Sequence, residues 1–316
     1  MSMSDGNQLY VVFGKGPLGY AVAEELLNRG KKVKMISRSG EGDFPKGVIP
    51  VQADASDPEA TREACKNVKI VFHCACPAYT LWPELFPAIT YGIMEGASSA
   101  EAKLVYGDNL YMYGQVEGPI TEDLPYKALG PKGKTRAAMA NKLLQTHKEG
   151  KVKVAIGRAS DFFGPRVTTS VMGERVFKPA IEGKGISLLG RIDQDHTYTY
   201  IKDFAKGLVI LSENENAFGE VWHIPSAETI TTKKFLNLVF KETETFPSVK
   251  TAPKFIVNLI SLFNPIIKEL KEVLPEYDLP YKVDHSKFGR TFGNHSTPHE
   301  IAIRETVNWY RTKYNL

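Results

Sequence analysis

An apolar run, Leu9–Phe13, leads directly into Gly14-Lys15-Gly16-Pro17-Leu18-Gly19, after which Leu18, Val22 and Leu26 recur every fourth residue until Gly30. That pattern predicts a strand, a glycine turn and a helix of about three turns. Each glycine has its own mechanical task. Gly14 makes the tight turn, Gly16 lets backbone approach a pyrophosphate, and Gly19 allows the helix to pack closely on the strand. The helix N-terminus contributes unpaired N–H groups and the positive end of its dipole. The segment Gly14, Lys15, Gly16, Pro17, Leu18 and Gly19 is therefore the expected seat of a dinucleotide.

The same rhythm continues along the chain. Lys32–Ile36, Val48–Gln52, Lys69–Cys74, Lys103–Tyr106 and Val152–Ile156 read as further short strands between segments of helical period, the signature of repeated βαβ units. Asp57 followed by Pro58 reads as an N-cap and first helical residue. After Gly157 loops lengthen, and helices are expected at Gly173–Glu182, Asp203–Ser212, Thr231–Lys241 and Pro298–Tyr314, with strand-like pieces at Ile186–Leu189 and Tyr198–Ile201. The expected fold class is α/β, a Rossmann-type doubly wound parallel sheet with a smaller C-terminal region covering the substrate. Residues 1–165 form the dinucleotide-binding domain in this reading. Residues 166–316 form a mixed substrate-binding region that also lends elements to the sheet.

The second strand discriminates between cofactors. An NAD-binding chain usually ends that strand on an acidic residue, about 20 residues past the glycines, which holds the ribose 2′-hydroxyl. Here Ser37 and Arg38 occupy the place. No carboxylate repels a 2′-phosphate there and a guanidinium is available to pair with one, so NADP(H) is favoured over NAD(H). Asp54, at the end of the third strand, and Ala75, past the fourth, complete the expected cofactor residues.

Val71-Phe72-His73-Cys74-Ala75-Cys76, Met112-Tyr113-Gly114, Arg158-Ala159-Ser160-Asp161-Phe162-Phe163-Gly164-Pro165 and Tyr198-Thr199-Tyr200-Ile201-Lys202-Asp203 follow the glycine motif in order. With it they resemble the extended, or atypical, short-chain dehydrogenase/reductase superfamily, which contains the nucleotide-sugar epimerases and dehydratases. The resemblance runs from residue 9 to about residue 205. It implies about seven sheet strands, dinucleotide binding and a lid-forming C-terminal part.

The catalytic pattern departs from that family. Its members carry Ser or Thr and then Tyr-x-x-x-Lys, in which the lysine lowers the tyrosine pKa for proton exchange with the substrate oxygen. Here the serine position falls on Asn109, and the dyad aligns with Lys132 and Arg136. Lysine is a serviceable acid only when its pKa is depressed, and arginine does not deprotonate in a protein. Lys132 is one candidate proton donor; Tyr111, Tyr113 and the neighbouring Asp108 are the others. Tyr113, Asp161, His196 and Tyr198 are the expected substrate residues. Asp161 stands in place of a familiar asparagine and His196 in place of a diphosphate-pairing arginine, which argues against a sugar nucleotide.

The leading expectation is an NADP(H)-dependent oxidoreductase or epimerase-like enzyme acting on a small carbonyl or alcohol. The alternatives are a non-catalytic NADP(H)-binding sensor or scaffold, and a nucleotide-sugar epimerase or dehydratase. The formal charge, +4 over 316 residues, is too small to make nucleic acid the default partner. Three cysteines, no leader pattern and no apolar stretch of membrane-spanning length lead to the expectation of a cytoplasmic protein without a membrane partner, and the family allows a homodimer. No metal site is expected, since Cys74 with Cys76 and His295 with His299 lack further ligands at metal spacing. The apolar run Phe255 to Ile267 reads as a helix over the cleft. One local excess stands out: Lys127 to Lys153 holds eight Lys/Arg and a single acidic residue, Glu149, so an anionic cofactor or substrate has a place to sit.

Overall fold

Of seven short strands, most of them rich in Val, Ile and Leu, all but the exposed edge strand Ile49–Gln52 are largely buried on both faces, as a parallel sheet covered by helices requires. A computed structural model describes residues 8–252 and 275–316 of the chain. The apolar run Phe255 to Ile267 lies outside the described residues. The large sheet contains β1 (Leu9–Phe13), β2 (Lys32–Ser37), β3 (Ile49–Gln52), β4 (Val68–His73), β5 (Lys103–Asp108), β6 (Val154–Arg158) and, from far along the chain, β11 (Val221–His223). Its order is β11-β6-β5-β4-β1-β2-β3, parallel throughout. Chain direction across the sheet therefore reverses between β1 and β4, and the crevice beyond the strand ends at such a switch is where ligands of doubly wound sheets bind.

Two cores flank the sheet. On one face α1 (Pro17–Asn28) and α6 (Ile201–Glu213) bury Val22, Leu26, Phe204 and Leu208. On the other, α3 (Trp82–Ser99) and α4 (Pro131–Lys148) bury Phe86, Ile93, Met139 and Leu143. A third core joins α5 (Glu174–Ile181), α7 (Thr232–Thr243) and the final helix His299–Tyr314 through Phe177, Phe235, Val239 and Tyr310. The remaining strands, β7 (Asp161–Phe163), β8 (Ile186–Leu189), β9 (Asp195–His196), β10 (Tyr198–Tyr200), β12 (Ile230–Thr231) and β13 (Val249–Ala252), form three two-stranded sheets. Asp57 caps α2 (Pro58–Ala64) through the Glu59 and Ala60 amides, as its spacing predicts.

The expected boundaries agree with these elements to within two residues; the largest shifts include Val152–Ile156, where β6 lies two residues later, and Asp203–Ser212, where α6 starts two residues earlier. Lys103–Tyr106 extends two residues further, to Asp108. Among the described residues no helix is long and apolar enough to cross a membrane.

Close backbone approach fixes the first turn. A Cβ at Gly19 would lie 1.9 Å from the Gly14 carbonyl oxygen, and Gly14 has φ +104° with Ala75 Cα 2.7 Å from where its own Cβ would be. Neither position has room for a side chain. Gly19→Ala is expected to cost about 1–3 kcal/mol, read as a lower urea midpoint at unchanged slope.

Two histidines end strands inside the core. His73, on β4, bonds through Nε2 to Thr90 Oγ1 at 3.0 Å, and His223, on β11, lies with Nδ1 3.0 Å from the Asp284 carbonyl. Both are fully buried. Burial, reinforced by the nearby Arg136 and Arg158 guanidiniums, pushes each imidazole down from 6.5 to about 3. The folded chain keeps both neutral while the unfolded chain protonates them near pH 6.5. Their contribution is thus fully present above about pH 6.5 and is lost progressively as pH falls toward 3. Acidification from pH 7 to pH 5 should remove about 2 kcal/mol per histidine, seen in urea unfolding, and replacing either with glutamine should flatten that dependence.

Candidate functional site

A cleft of about 1150 Å³ runs along the C-terminal ends of β1 to β6, from the glycine turn to an aromatic chamber. Gly14, Lys15, Gly16, Pro17 and Leu18 line one end, with Ser37, Arg38, Asp54 and Ala75 around them. Gly19 lies beneath, where it sets the helix against the turn. Beyond its own chain neighbours, no heavy atom lies within 4 Å of where a Gly16 Cβ would be, and Gly16 lines the cleft with its backbone open. The N-terminus of α1 has no side-chain cap, and its first-turn N–H groups are left for an anion. These residues fit a dinucleotide pyrophosphate.

Lys15 crosses to the loop after β2, donating from Nζ to Glu41 O at 2.7 Å and Ser39 Oγ at 3.1 Å. Ser37 Oγ accepts from the Gly40 amide, which turns that loop, and Arg38 is exposed at the cleft. Asp54 Oδ1 accepts from the Ser56 hydroxyl at 2.7 Å and from its amide at 2.9 Å; these bonds hold the carboxyl below its usual range.

At the other end Trp82, Leu85, Phe86 and Tyr111 build the chamber wall, Tyr111 stacking on Trp82 with centroids 5.9 Å apart. Asn109 Oδ1 accepts from the Tyr111 amide at 3.2 Å and so starts the turn that presents this tyrosine. Gly133 lets the first turn of α4 press against it, since a Cβ there would meet Tyr111 O at 2.6 Å. Asn109, Tyr111 and Arg136 reach the cleft; Lys132 does not. Lys132 is 1% exposed, its ammonium 4.5 Å above the centre of the Tyr79 ring.

Behind the chamber a buried ion cluster closes the strand ends. Asp108 receives Arg136 Nη1 on Oδ1 at 3.1 Å and Arg158 Nε on Oδ2 at 3.2 Å. Arg136 Nη1 also donates to Tyr106 OH at 2.6 Å. Arg158 donates to Tyr113 OH and Tyr126 OH, both at 2.6 Å. The Tyr113 hydroxyl lies 3.0 Å from His223 Nε2, and with His223 Nδ1 donating to Asp284 O the phenol is the donor in that pair. Burial pushes the Tyr113 phenol well above its ordinary pKa.

The structure does not bring every expected substrate residue to the cleft. Tyr113, His196 and Tyr198 are each at most 2% exposed and stand behind its wall. Tyr113 is held by the ion cluster, and Tyr198 OH bonds to Thr232 Oγ1 at 2.8 Å. His196 is stacked among Tyr198, Tyr277 and Tyr281, with centroids at 4.5, 5.5 and 5.0 Å. Asp161 does line the cleft, its Oδ2 bonded to His196 Nε2 at 2.9 Å and to Tyr277 OH at 2.8 Å. Asp108 as an open proton donor is corrected: its carboxylate is inaccessible and spanned by two guanidiniums. Sequence reasoning missed Trp82 and Phe86, on whose rings Arg136 rests with its guanidinium carbon 4.3 Å from each centroid. Their spacing at i, i+4 was the available signal. His295 Nε2 faces Asp203 O and His299 Nε2 faces Glu228 O, and among the described residues no group of three or more His, Cys, Asp and Glu could hold a metal.

Comparison with known proteins agrees with this architecture. An uncharacterized UDP-glucose epimerase, YtcB, of Bacillus subtilis is 26% identical over 136 residues, 43% of each chain. The dTDP-glucose 4,6-dehydratase of Escherichia coli is 24% identical over 203 residues, 62% of this chain and 51% of that one. The chain spans about half the length of the curated relatives it matches. Among solved structures, DesIV, a dTDP-glucose 4,6-dehydratase of Streptomyces venezuelae with NAD and TYD bound, superposes with a TM-score of 0.80 at 18% identity over 98% of both chains. UDP-glucuronic acid 4-epimerase of Bacillus cereus in complex with NAD gives 0.78 at 18% identity over 98% of both. At such identities the likeness is one of fold. A family model, however, matches residues 10–224, more than half the chain, and the chain belongs to the NAD dependent epimerase/dehydratase family, with the extended short-chain dehydrogenase/reductase fold that its glycine turn and strand rhythm predict.

Proposed function

We propose that the chain is an NADP(H)-dependent oxidoreductase that interconverts a small carbonyl compound and its alcohol. The observation that carries this reading is the continuity of one cleft from the pyrophosphate turn to a chamber walled by Trp82, Leu85, Phe86 and Tyr111. Residues 1–165 hold the dinucleotide in this reading, and residues 166–316 cover the substrate through Val167, Arg175, Tyr277 and Tyr281 while lending β11 to the sheet.

Gly14 to Leu18 take the pyrophosphate, and Arg38 with Lys15 and Ser39 takes the 2′-phosphate. Bound NADP(H) supplies the hydride donor or acceptor. Tyr111 donates the proton that the substrate oxygen gains on reduction and recovers it on oxidation. Support comes from exclusion among the candidate donors: Tyr111 lines the cleft, the Lys132 ammonium is drawn over Tyr79, and Tyr113 serves the ion cluster. Asp161, a carboxylate in the wall, disfavours a diphosphate beside it.

A second reading, a nucleotide-sugar epimerase or dehydratase, draws on Arg175 in the cleft lining and on the substrates named for the relatives. It requires that UDP- or dTDP-sugars raise the melting temperature, and no shift with any of them would remove it.

NADPH should bind and be oxidised in the presence of an aldehyde and ketone panel, monitored at the nicotinamide absorbance. Tyr111→Phe should keep NADPH binding and lose about 100-fold or more in turnover. Tight binding without turnover across the panel would instead favour a sensor. Arg38→Ala should weaken NADPH but not NADH, by about tenfold in Kd; an unchanged preference would overturn the NADP(H) assignment.

A further inference from the structure

Arg136 is the one side chain of the dyad positions that reaches the cleft, and its donor fork is not fully used. It is 5% exposed; Nη1 donates to Tyr106 OH and Asp108 Oδ1, the Cys76 sulfur lies against the guanidinium as a weak acceptor, and the buried Nε has no hydrogen-bond partner. A guanidinium presents five N–H donors in a planar fork, more than these partners take up.

Charge around it does not balance. Asp108 is the only carboxylate bonded to Arg136 or Arg158 among the described residues, and it serves both. One of two buried positive charges is therefore uncompensated. The neighbouring groups do not cancel it. His73 is held neutral, and burial keeps the Tyr106 and Tyr113 phenols protonated. An excess buried positive charge at a ligand cleft is costly unless an anion completes it. The surrounding wall is aromatic and apolar, with Trp82 and Phe86 fixing the guanidinium and Tyr111 on Trp82.

We infer that the chamber takes a carboxylate-bearing substrate with an aromatic or apolar body, whose carboxylate pairs with the Arg136 guanidinium beside Asp108. This deepens the carbonyl/alcohol reading and rests on it for the reaction, while the anion site stands on the cleft alone. Arg136 then touches the substrate, and arginine rather than lysine is required because only its planar fork serves Asp108 on one side and a second carboxylate on another.

Benzoate and its neutral counterpart benzamide test the site by calorimetric titration of the full chain, with and without NADPH. Benzoate is expected to bind at least about tenfold more tightly than benzamide, and Arg136→Met to abolish that ratio while Arg136→Lys retains part of it. With NADPH, phenylpyruvate should be reduced with a kcat/KM at least about tenfold above that of phenylacetone, which replaces the carboxylate with methyl. If benzoate and benzamide bind alike to the wild-type chain, or neither binds, the anion site is overturned whether or not the arginine variants fold. Failure of NADPH to bind or to be oxidised would overturn the oxidoreductase reading instead, because the benzoate ratio is measured without NADPH as well.

Discussion

The Asp108 carboxylate, held between two guanidiniums at the end of β5, ties together the parts of the chain that make the cleft. Arg136 comes from α4, Arg158 from the end of β6, and Arg158 reaches on to Tyr113 and Tyr126, with Tyr113 passing the linkage to His223 on β11. Four elements far apart in sequence are thereby fixed at one strand edge. Two buried guanidiniums around one carboxylate do not stabilise by Coulomb attraction alone, since desolvation of three charges offsets most of that gain. What the cluster does secure is geometry: every oxygen of the carboxylate is occupied, so α4 cannot rotate without breaking a bond that has no water to replace it.

That geometry separates the two residues expected at the dyad positions. Lys132 and Arg136, the residues expected at the dyad positions, lie in the first and second turns of α4. The two side chains diverge nonetheless. Arg136 swings toward Asp108 between the Trp82 and Phe86 rings, whereas the Lys132 ammonium stays over Tyr79. Residue type at a helical position fixes which face a side chain leaves from; the partner that captures its charged end is a tertiary property.

The legible part of the fold is the part carried by local pattern. β-Branched runs marked six sheet strands, and the glycine spacing marked the turn, because each depends on residues within a few positions of one another. The seventh strand, Val221–His223, was hidden: three residues cannot establish a period, and only pairing with β6 makes them a strand. The long helix Trp82–Ser99 was hidden too, since Pro83, Pro87 and a run of small residues obscure its apolar stripe. At the site, the glycine turn could be read, but the Arg136–Asp108 bond could not, because its partners are 28 residues apart and belong to different elements.

The basic stretch from Lys127 to Lys153 shows the same limit in electrostatic form. Counted along the sequence, its eight cations suggest a diffuse anionic attraction. In three dimensions they separate. Lys151 pairs with Glu149, and Lys153 with Glu215, on the surface, where such pairs are worth little and are screened by salt. Arg136 instead lies in a water-poor interior, where the same unit charge acts at several times the strength because the surroundings do not screen it. Net charge therefore says little about where this chain attracts an anion; burial does, and it concentrates the attraction at one guanidinium in the wall of the cleft.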